Sequence, residues 1–264
     1  GGISQVHMNA LMGMNNVQIV AVCDIREERA QAAAKKTGAS RVYADWHELL
    51  RDPEVDVVHL CTPHYLHAPM TIEALAAGKH VLTETSTNIT LREGARIYEL
   101  VERTGLCYML AENYCYTRFN QEMKRLYELG EIGEVRYAEG QYNHPMDIEH
   151  SLWYSPGTKH WRNWLPGCYY NTHSLAPLMY VTGTMPVAVS CSQFGRGRDG
   201  YKGRGYVMLI KMDNGAIFRT YGGAAGHDCA YSFHGTVGAM ECVRGHGYFG
   251  PEEVRVWHEP WDLK

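Results

Sequence analysis

The sequence lacks the features that mark membrane proteins, secreted disulfide-rich domains and nucleic-acid-binding proteins. No apolar run approaches the roughly 20 residues that a membrane helix needs. The eight cysteines are scattered without a CxxC pair, which favours free thiols and a reducing, cytoplasmic compartment, although a leader upstream of residue 1 would not be visible. The net charge of −4 gives no broad positive field, so nucleic acid and anionic membranes are poor partners and a small molecule fits better.

Metal-binding motifs are also missing, although the chain has 14 histidines. There is no HExxH motif, and His64 and His67 precede a predicted helix without a carboxylate or cysteine set around them. The sequence therefore predicts no metal site, and we interpret the histidines as surface or supporting groups.

Residues 1–113 alternate short apolar strands with helices. The runs at 17–24 and 55–61 are rich in β-branched residues and predict buried parallel strands. Further strands are predicted at 42–43, 80–84 and 107–112, and helices at 27–37, 46–51, 68–77 and 90–104. This alternation predicts an α/β domain with a Rossmann-type, doubly wound parallel sheet.

From residue 114 the pattern changes to longer strand-like stretches. A helix is predicted over 120–129, and strands over 135–142, 186–193, 206–212 and 216–221. The last two strands are joined by Asp213-Asn214-Gly215, a strong hairpin-turn signal. Residues 114–264 are therefore predicted to form an α+β substrate domain with a mainly antiparallel sheet.

The chain opens with Gly1-Gly2-Ile3-Ser4, and Asp24 stands at the end of the next predicted strand. This spacing matches part of the dinucleotide-binding fingerprint, in which glycines admit the pyrophosphate and a strand-end carboxylate binds the adenosine ribose. The first strand and first glycine of that fingerprint are missing, so an ordinary glycine turn is the alternative. Asp24 favours NAD over NADP, because a 2′-phosphate would meet a like charge. NADP remains the alternative cofactor, because the positively charged Arg26 is nearby.

Three further stretches complete a family pattern. They are Cys61-Thr62-Pro63 with His67, Gly78-Lys79-His80-Val81-Leu82 ending in Glu84, and Gly130-Glu131-Ile132-Gly133-Glu134-Val135. With the opening residues, these stretches resemble the Gfo/Idh/MocA family of nicotinamide-dependent oxidoreductases over essentially the whole chain. The resemblance and the fingerprint together imply cofactor contacts from Gly1, Gly2, Ile3, Ser4, Asp24, Arg26, Thr62, Pro63, His64, His67, Glu84, Thr85 and Asn113.

Two departures from the family pattern point to a subgroup. The triplet Glu-Lys-Pro, whose lysine lies beside the reacting hydroxyl, reads Glu84-Thr85-Ser86, and Asp-x-Gly-x-His reads Tyr169-Tyr170-Asn171-Thr172-His173. Without that lysine and aspartate, a plain alcohol dehydrogenase lacks its usual acid–base pair. The stretches 112–116, 140–144 and 168–177 look most like those of NAD-dependent glycosidases of the α-N-acetylgalactosaminidase type.

In such glycosidases, the resemblance implies, NAD⁺ takes a hydride from C3 of the sugar, the C1 substituent is then eliminated, and the hydride returns after water adds. His173 is predicted to take the C3 hydroxyl proton, the alternative being a structural histidine bonded to backbone. Tyr142 and Tyr170 are candidates for the C2 base or sugar contacts, and Glu112 for hydrogen bonds to sugar hydroxyls. The predicted substrate contacts are Tyr116, His144 and Trp161.

Two other functions stay open at this point. One is a simple NAD(P)-dependent sugar or polyol dehydrogenase that releases NADH. The other is a catalytically silent homologue that binds NAD or sugar. The family resemblance also implies a homo-oligomer formed through the antiparallel sheet.

Overall fold

The computed structural model describes residues 2–143, 165–194, 205–223, 228–243 and 253–259. The chain divides into two compact units, residues 1–111 and residues 112–264. No helix in the described part of the chain is long and apolar enough to cross a bilayer.

The N-terminal unit alternates helices with parallel strands. Its helices are α1 (Gly2–Met12), α2 (Glu27–Thr37), α3 (Trp46–Arg51), α4 (His67–Ala76) and α5 (Leu91–Thr104). Its strands are β1 (Ala21–Cys23), β2 (Arg41–Tyr43), β3 (Val57–Leu60), β4 (His80–Thr83) and β5 (Tyr108–Leu110). Strand β1 pairs in parallel with β2, and β3, β4 and β5 form a second parallel sheet in that order. The predicted Rossmann-type parallel arrangement is therefore confirmed.

The local signals for α2 and α5 explain where these helices end. Helix α2 stops at Gly38, which has φ 76° and donates its N–H to the Ala34 carbonyl. Glycine adopts this left-handed conformation without steric cost. Helix α5 begins after Thr90, whose side chain and that of Glu93 form the predicted capping box.

The C-terminal unit builds one mixed sheet. Its helices are α6 (Arg118–Glu128) and α7 (Thr172–Thr182), and short 3-10 helices span Asn113–Tyr116 and Gly167–Tyr170. Its strands are β6 (Tyr137–Asn143), β7 (Pro186–Phe194), β8 (Gly205–Met212), β9 (Ile217–Gly222), β10 (Asp228–His234), β11 (Gly238–Cys242) and β12 (Val254–His258). The strand order is β12-β11-β10-β6-β9-β8-β7, and the β6–β9 pair is parallel while the other pairs are antiparallel. This confirms the predicted, mainly antiparallel sheet.

Helices α6 and α7 cover one face of this sheet. Met123 of α6 and Leu178 of α7 are fully buried against Phe218 and Phe233 of the sheet. Such burial of large apolar side chains is the main stabilising contribution to this unit. It also fixes the first turn of α7, which carries His173.

Candidate active site

A histidine and a glutamate form a buried pair in the C-terminal unit. The Nδ1 atom of His173 lies 2.8 Å from Oε1 of Glu112, and the two side chains are 8% and 7% exposed. In the tautomer that lets the carboxylate accept, a neutral imidazole donates from Nδ1 and has Nε2 as its acceptor. The partner of His173 is thus a side chain, which differs from the structural alternative of a histidine held by backbone.

Only one carboxylate oxygen of Glu112, Oε1, has hydrogen-bond partners. Its Oε1 also accepts the backbone N–H of Tyr114 at 3.1 Å. Its Oε2 is buried without a hydrogen-bond partner in the structure. Because buried polar atoms are normally paired, this oxygen is suited to a hydroxyl group of a ligand.

Three tyrosine rings surround the imidazole of His173. Their centroids lie 5.0 Å (Tyr114), 4.5 Å (Tyr142) and 5.1 Å (Tyr170) from that of the imidazole. Tyr142 also stacks on Tyr170 with an angle of 28° between the rings. We call these four residues the aromatic cluster. Tyr114 and Tyr142 are 4% exposed, so their rings exclude water from the histidine. Tyr170 is only partly buried, and its ring is a flat surface of the kind that packs against sugars.

The sheet beneath α7 positions His173. Strand β6 carries Tyr142 and, two residues earlier on the same face, Gly140. A Cβ atom at Gly140 would overlap the carbonyl oxygen of Ser174, so only glycine lets α7 approach this closely. From β10, the hydroxyl of Tyr231 donates to the carbonyl oxygen of His173 at 2.6 Å. Burial raises the pKa of Tyr231 well above its usual value, which keeps this hydroxyl protonated as a donor.

We predict that Gly140→Ala forces α7 away from β6. Overpacking of this kind costs roughly 1–3 kcal/mol, and here it would also separate Tyr142 from His173. Urea unfolding should show a lower free energy of unfolding. The catalytic rate should fall by more than this loss of stability explains. Gly94→Ala in α5 is the control, because the atoms nearest to its new methyl group belong to the side chain of Asn88 and not to backbone. Equal effects of both changes would contradict the close approach at Gly140.

The structure brings the four predicted catalytic residues together in one cluster. Tyr116 lies apart from it: its side chain is exposed and its ring is 5.9 Å from that of Tyr180. His144 and Trp161 lie outside the described residues. Tyr114 was not assigned a role from sequence, although it belongs to the Glu112–Tyr116 stretch that carried the family resemblance.

The contact between Glu112 and His173 adds to the roles predicted for them. The sequence predicts Glu112 as a catalytic-site residue that binds sugar hydroxyls, and in the structure its Oε1 also lies against the imidazole. The two residues are 61 positions apart, so no spacing motif could have shown the contact.

The predicted cofactor residues at the start of the chain lie on a helix and a strand end. Gly1 lies outside the described residues, while Gly2, Ile3 and Ser4 form the first turn of α1, where the sequence predicted an open turn. Asp24 directly follows β1, and its Oδ1 accepts the backbone N–H of Arg26 at 2.9 Å. Backbone donors at a helix N-terminus suit a pyrophosphate, and a strand-end carboxylate suits ribose hydroxyls.

The loop after β3 contains a second feature that suits a ligand. The Thr62 hydroxyl is buried without a hydrogen-bond partner, and it lies beyond the carboxyl end of β3, where open α/β sheets bind their ligands. Pro63 directly precedes the 3-10 helix His64–Leu66. Asn113 is exposed in the other unit.

His67 has a structural role that the sequence did not predict. Its side chain is buried, with Nδ1 2.8 Å from the carbonyl oxygen of Ser86 and Nε2 2.9 Å from that of Thr62. A neutral imidazole donates from one ring nitrogen only, so one of these two carbonyl oxygens accepts from the ring. The side chain thus lies between the loops after β3 and β4, and its predicted contact with the cofactor stays a prediction.

The loop after β4 is organised by Glu84. Its Oε2 accepts the backbone N–H of Thr85 at 3.1 Å, and its Oε1 lies 2.5 Å from Nε2 of His7.

Three groups of the N-terminal unit have the chemistry that a dinucleotide needs. They are the backbone donors at the start of α1, the Asp24 carboxylate and the unpaired Thr62 hydroxyl.

Residues 1–112 match the model of a protein family, GFO_IDH_MocA, described as an oxidoreductase family with an NAD-binding Rossmann fold. A glycosyl hydrolase family 109 protein of Streptomyces filamentosus is 31% identical over 183 residues, which are 65% of this chain and 37% of that protein. An alpha-N-acetylgalactosaminidase of Bacteroides fragilis is 27% identical over 185 residues, 64% of this chain and 43% of that protein. The chain thus spans less than half the length of these curated relatives.

A levoglucosan dehydrogenase solved with NADH and L-sorbose has a similar fold. Its TM-score is 0.82 at 23% identity, and the match covers 100% of this chain and 75% of that one. At this identity the likeness shows the fold.

Proposed function

We propose that this chain, whose residues 1–112 match the Gfo/Idh/MocA family of NAD-binding oxidoreductases, is an NAD-dependent enzyme acting on a carbohydrate. The observation that carries this proposal is the buried pair of His173 and Glu112, 2.8 Å apart, inside a cluster of tyrosine rings. A buried acid–base pair beside flat aromatic surfaces suits the removal of a proton from a sugar hydroxyl.

The N-terminal unit would hold the cofactor. The backbone N–H groups at the start of α1 would bind the pyrophosphate, the Asp24 carboxylate the adenosine ribose, and the Thr62 hydroxyl a further polar group of the dinucleotide. The carboxylate of Asp24 disfavours the 2′-phosphate of NADP. NAD⁺, when bound, supplies a hydride acceptor for the carbon that carries a sugar hydroxyl.

His173 would take the proton that this hydroxyl loses. Its Nε2 is the acceptor nitrogen because Nδ1 donates to Glu112. The carboxylate stabilises the positive charge that the ring gains, and it holds the ring in one orientation. The unpaired Oε2 of Glu112 would bind a neighbouring hydroxyl.

Net hydrolysis of a glycoside is the reaction that we favour over net oxidation. Thr85 stands where ordinary dehydrogenases of the family, by resemblance, have a lysine, and a glycosyl hydrolase family 109 protein and an alpha-N-acetylgalactosaminidase are among the relatives. The substrate class that these features support is an N-acetylated α-galactoside.

The test is turnover of 4-nitrophenyl N-acetyl-α-D-galactosaminide with and without added NAD⁺. We expect nitrophenolate release that depends on NAD⁺ while NADH does not accumulate. NADH that accumulates in proportion to a free sugar, without nitrophenolate, would instead identify a dehydrogenase. Tight NAD binding without either product would identify a silent binding protein and contradict the proposed activity.

We also propose that the chain forms a homo-oligomer through the open face of its sheet. Ile210 and Phe218 point towards the helices and are buried. Their neighbours Leu209 and Ile217 therefore point to the opposite face, where they are 52% and 39% exposed. An exposed apolar patch on a sheet is typical of a protein interface.

Leu209→Glu is predicted to break this association. The added charge would have to be buried unpaired in the interface, which disfavours association strongly. Val189→Glu is a matched control, because Val189 is exposed on an edge strand and pairs with Ile210, so it points to the other face of the sheet. Analytical ultracentrifugation should show a smaller species for Leu209→Glu alone; a wild-type monomer at micromolar concentration would rule the interface out.

A further inference from the structure

A group of potential metal ligands lies in the N-terminal unit. The ligand atoms offered by His7, His59 and Cys61 all lie within 4.8 Å of one another. All three residues are partly buried. The expectation of no metal was based on sequence spacing, which cannot show that residue 7 meets residues 59 and 61.

The fold explains why these side chains meet. Val58 and Leu60 of β3 are buried in the core. His59 and Cys61 alternate with them and therefore point to the opposite face of the sheet. Helix α1 brings His7 to this face, and the ring centroids of His7 and His59 are 4.3 Å apart.

The spacing of two of these ligand atoms already suits a tetrahedral metal. The Sγ atom of Cys61 lies 3.6 Å from Nε2 of His59. Zinc bonds of about 2.3 Å to sulfur and about 2.0 Å to nitrogen at a tetrahedral angle place these two atoms about 3.6 Å apart. The third ligand is His7, whose ligand atom lies within 4.8 Å of the other two. This atom needs to move only about 1 Å closer to them, which a side-chain rotation allows.

Glu84 completes the surroundings of this group. Its Oε1 lies 2.5 Å from Nε2 of His7, and its Oε2 accepts the N–H of Thr85, so the carboxylate is fixed. A carboxylate that accepts from one ring nitrogen orients a histidine whose other nitrogen binds a metal. Together, the Cys61 thiolate and the Glu84 carboxylate balance the charge of a divalent cation.

We propose that His7, His59 and Cys61 bind one divalent cation of the zinc class, with Glu84 orienting His7. Two imidazoles and a thiolate are softer donors than magnesium or calcium prefers, and they suit zinc. On binding, the Cys61 thiol releases its proton to solvent and the sulfur bonds to the metal. Three protein ligands leave the fourth position for water or another ligand.

The test is a titration of the metal-free protein with Co²⁺, followed by competition with Zn²⁺. Cobalt serves as the probe because a thiolate ligand gives an intense charge-transfer band. We expect one Co²⁺ per chain with that band, displaced by Zn²⁺. Cys61→Ser should remove the band and weaken binding at least about tenfold, whereas Cys107→Ser, which changes an exposed cysteine of the same unit, should change neither.

Cobalt bound without the thiolate band, or with equal affinity in Cys61→Ser, would overturn the proposal. His7→Gln provides a second variant in case Cys61→Ser fails to fold, because helix α1 has no buried residues. It should weaken binding at least about tenfold while the circular dichroism spectrum stays unchanged. The assay contains no NAD and no sugar, so its result is separate from that of the proposed activity.

Discussion

Replacing His173 with glutamine is expected to lower kcat for glycoside turnover by about 10²- to 10⁴-fold, the range that a positioned acid–base group contributes. The glutamine side chain can still form a hydrogen bond to Glu112 but cannot take a proton from a sugar hydroxyl. Isothermal titration calorimetry should show unchanged affinity for NAD, because the residues proposed to hold the cofactor lie in the other unit. Steady-state kinetics with the nitrophenyl glycoside measures the loss.

His258→Gln provides the control for this substitution. It makes the same chemical change at an exposed histidine of β12, where the ring contacts Glu131. We expect wild-type kinetics from this variant. Retention of full activity by His173→Gln would show that the imidazole takes no part in the reaction.

Replacing Glu112 with glutamine is expected to have the second largest effect, a loss of roughly 10²-fold in kcat with little change in KM. The amide has the size of the carboxylate but carries no charge to stabilise a protonated imidazole. If the amide donates to Nδ1, the ring must carry its proton on Nε2, which then cannot accept one. ¹⁵N NMR of the His173 ring distinguishes the two tautomers and so separates this effect from a general loosening of the structure.

A double-mutant cycle tests whether Glu112 acts through His173. If it does, Glu112→Gln should cost almost nothing further in the His173→Gln background, because residues that act as a unit are not additive. Additive losses would mean that Glu112 contributes separately, for example through its Oε2 and a sugar hydroxyl.

The fold was predictable wherever a local signal decides it. Helix α2 occupies the predicted residues because Gly38 can end it, and α5 begins at the predicted capping box. Strands were predicted too long, as at 17–24 against Ala21–Cys23, because an apolar run continues past the residues that find a pairing partner. Hydrophobicity alone does not show where pairing stops.

Helix α7 and strands β10 to β12 were not predicted. Helix α7 contains Pro177 in its interior, which normally argues against a helix. Here the lost backbone hydrogen bond is offset by packing, since Leu178 and Val181 are buried against the sheet. Tertiary contacts of this kind are invisible in a single sequence.

The candidate site was predictable in its members and not in its connections. Family motifs selected Glu112, Tyr142, Tyr170 and His173, and these residues do lie together. The contact between Glu112 and His173, and the position of His67 between two backbone carbonyl oxygens, depend on atoms brought together by the fold.

The proposed role of His173 is tested most directly by the distance from its Nε2 to the nearest ring hydroxyl in a crystal structure with NAD and N-acetylgalactosamine. We expect about 2.6–3.2 Å, the range in which a base can accept the proton. A bound sugar whose hydroxyls all lie beyond hydrogen-bond distance of this nitrogen would contradict it.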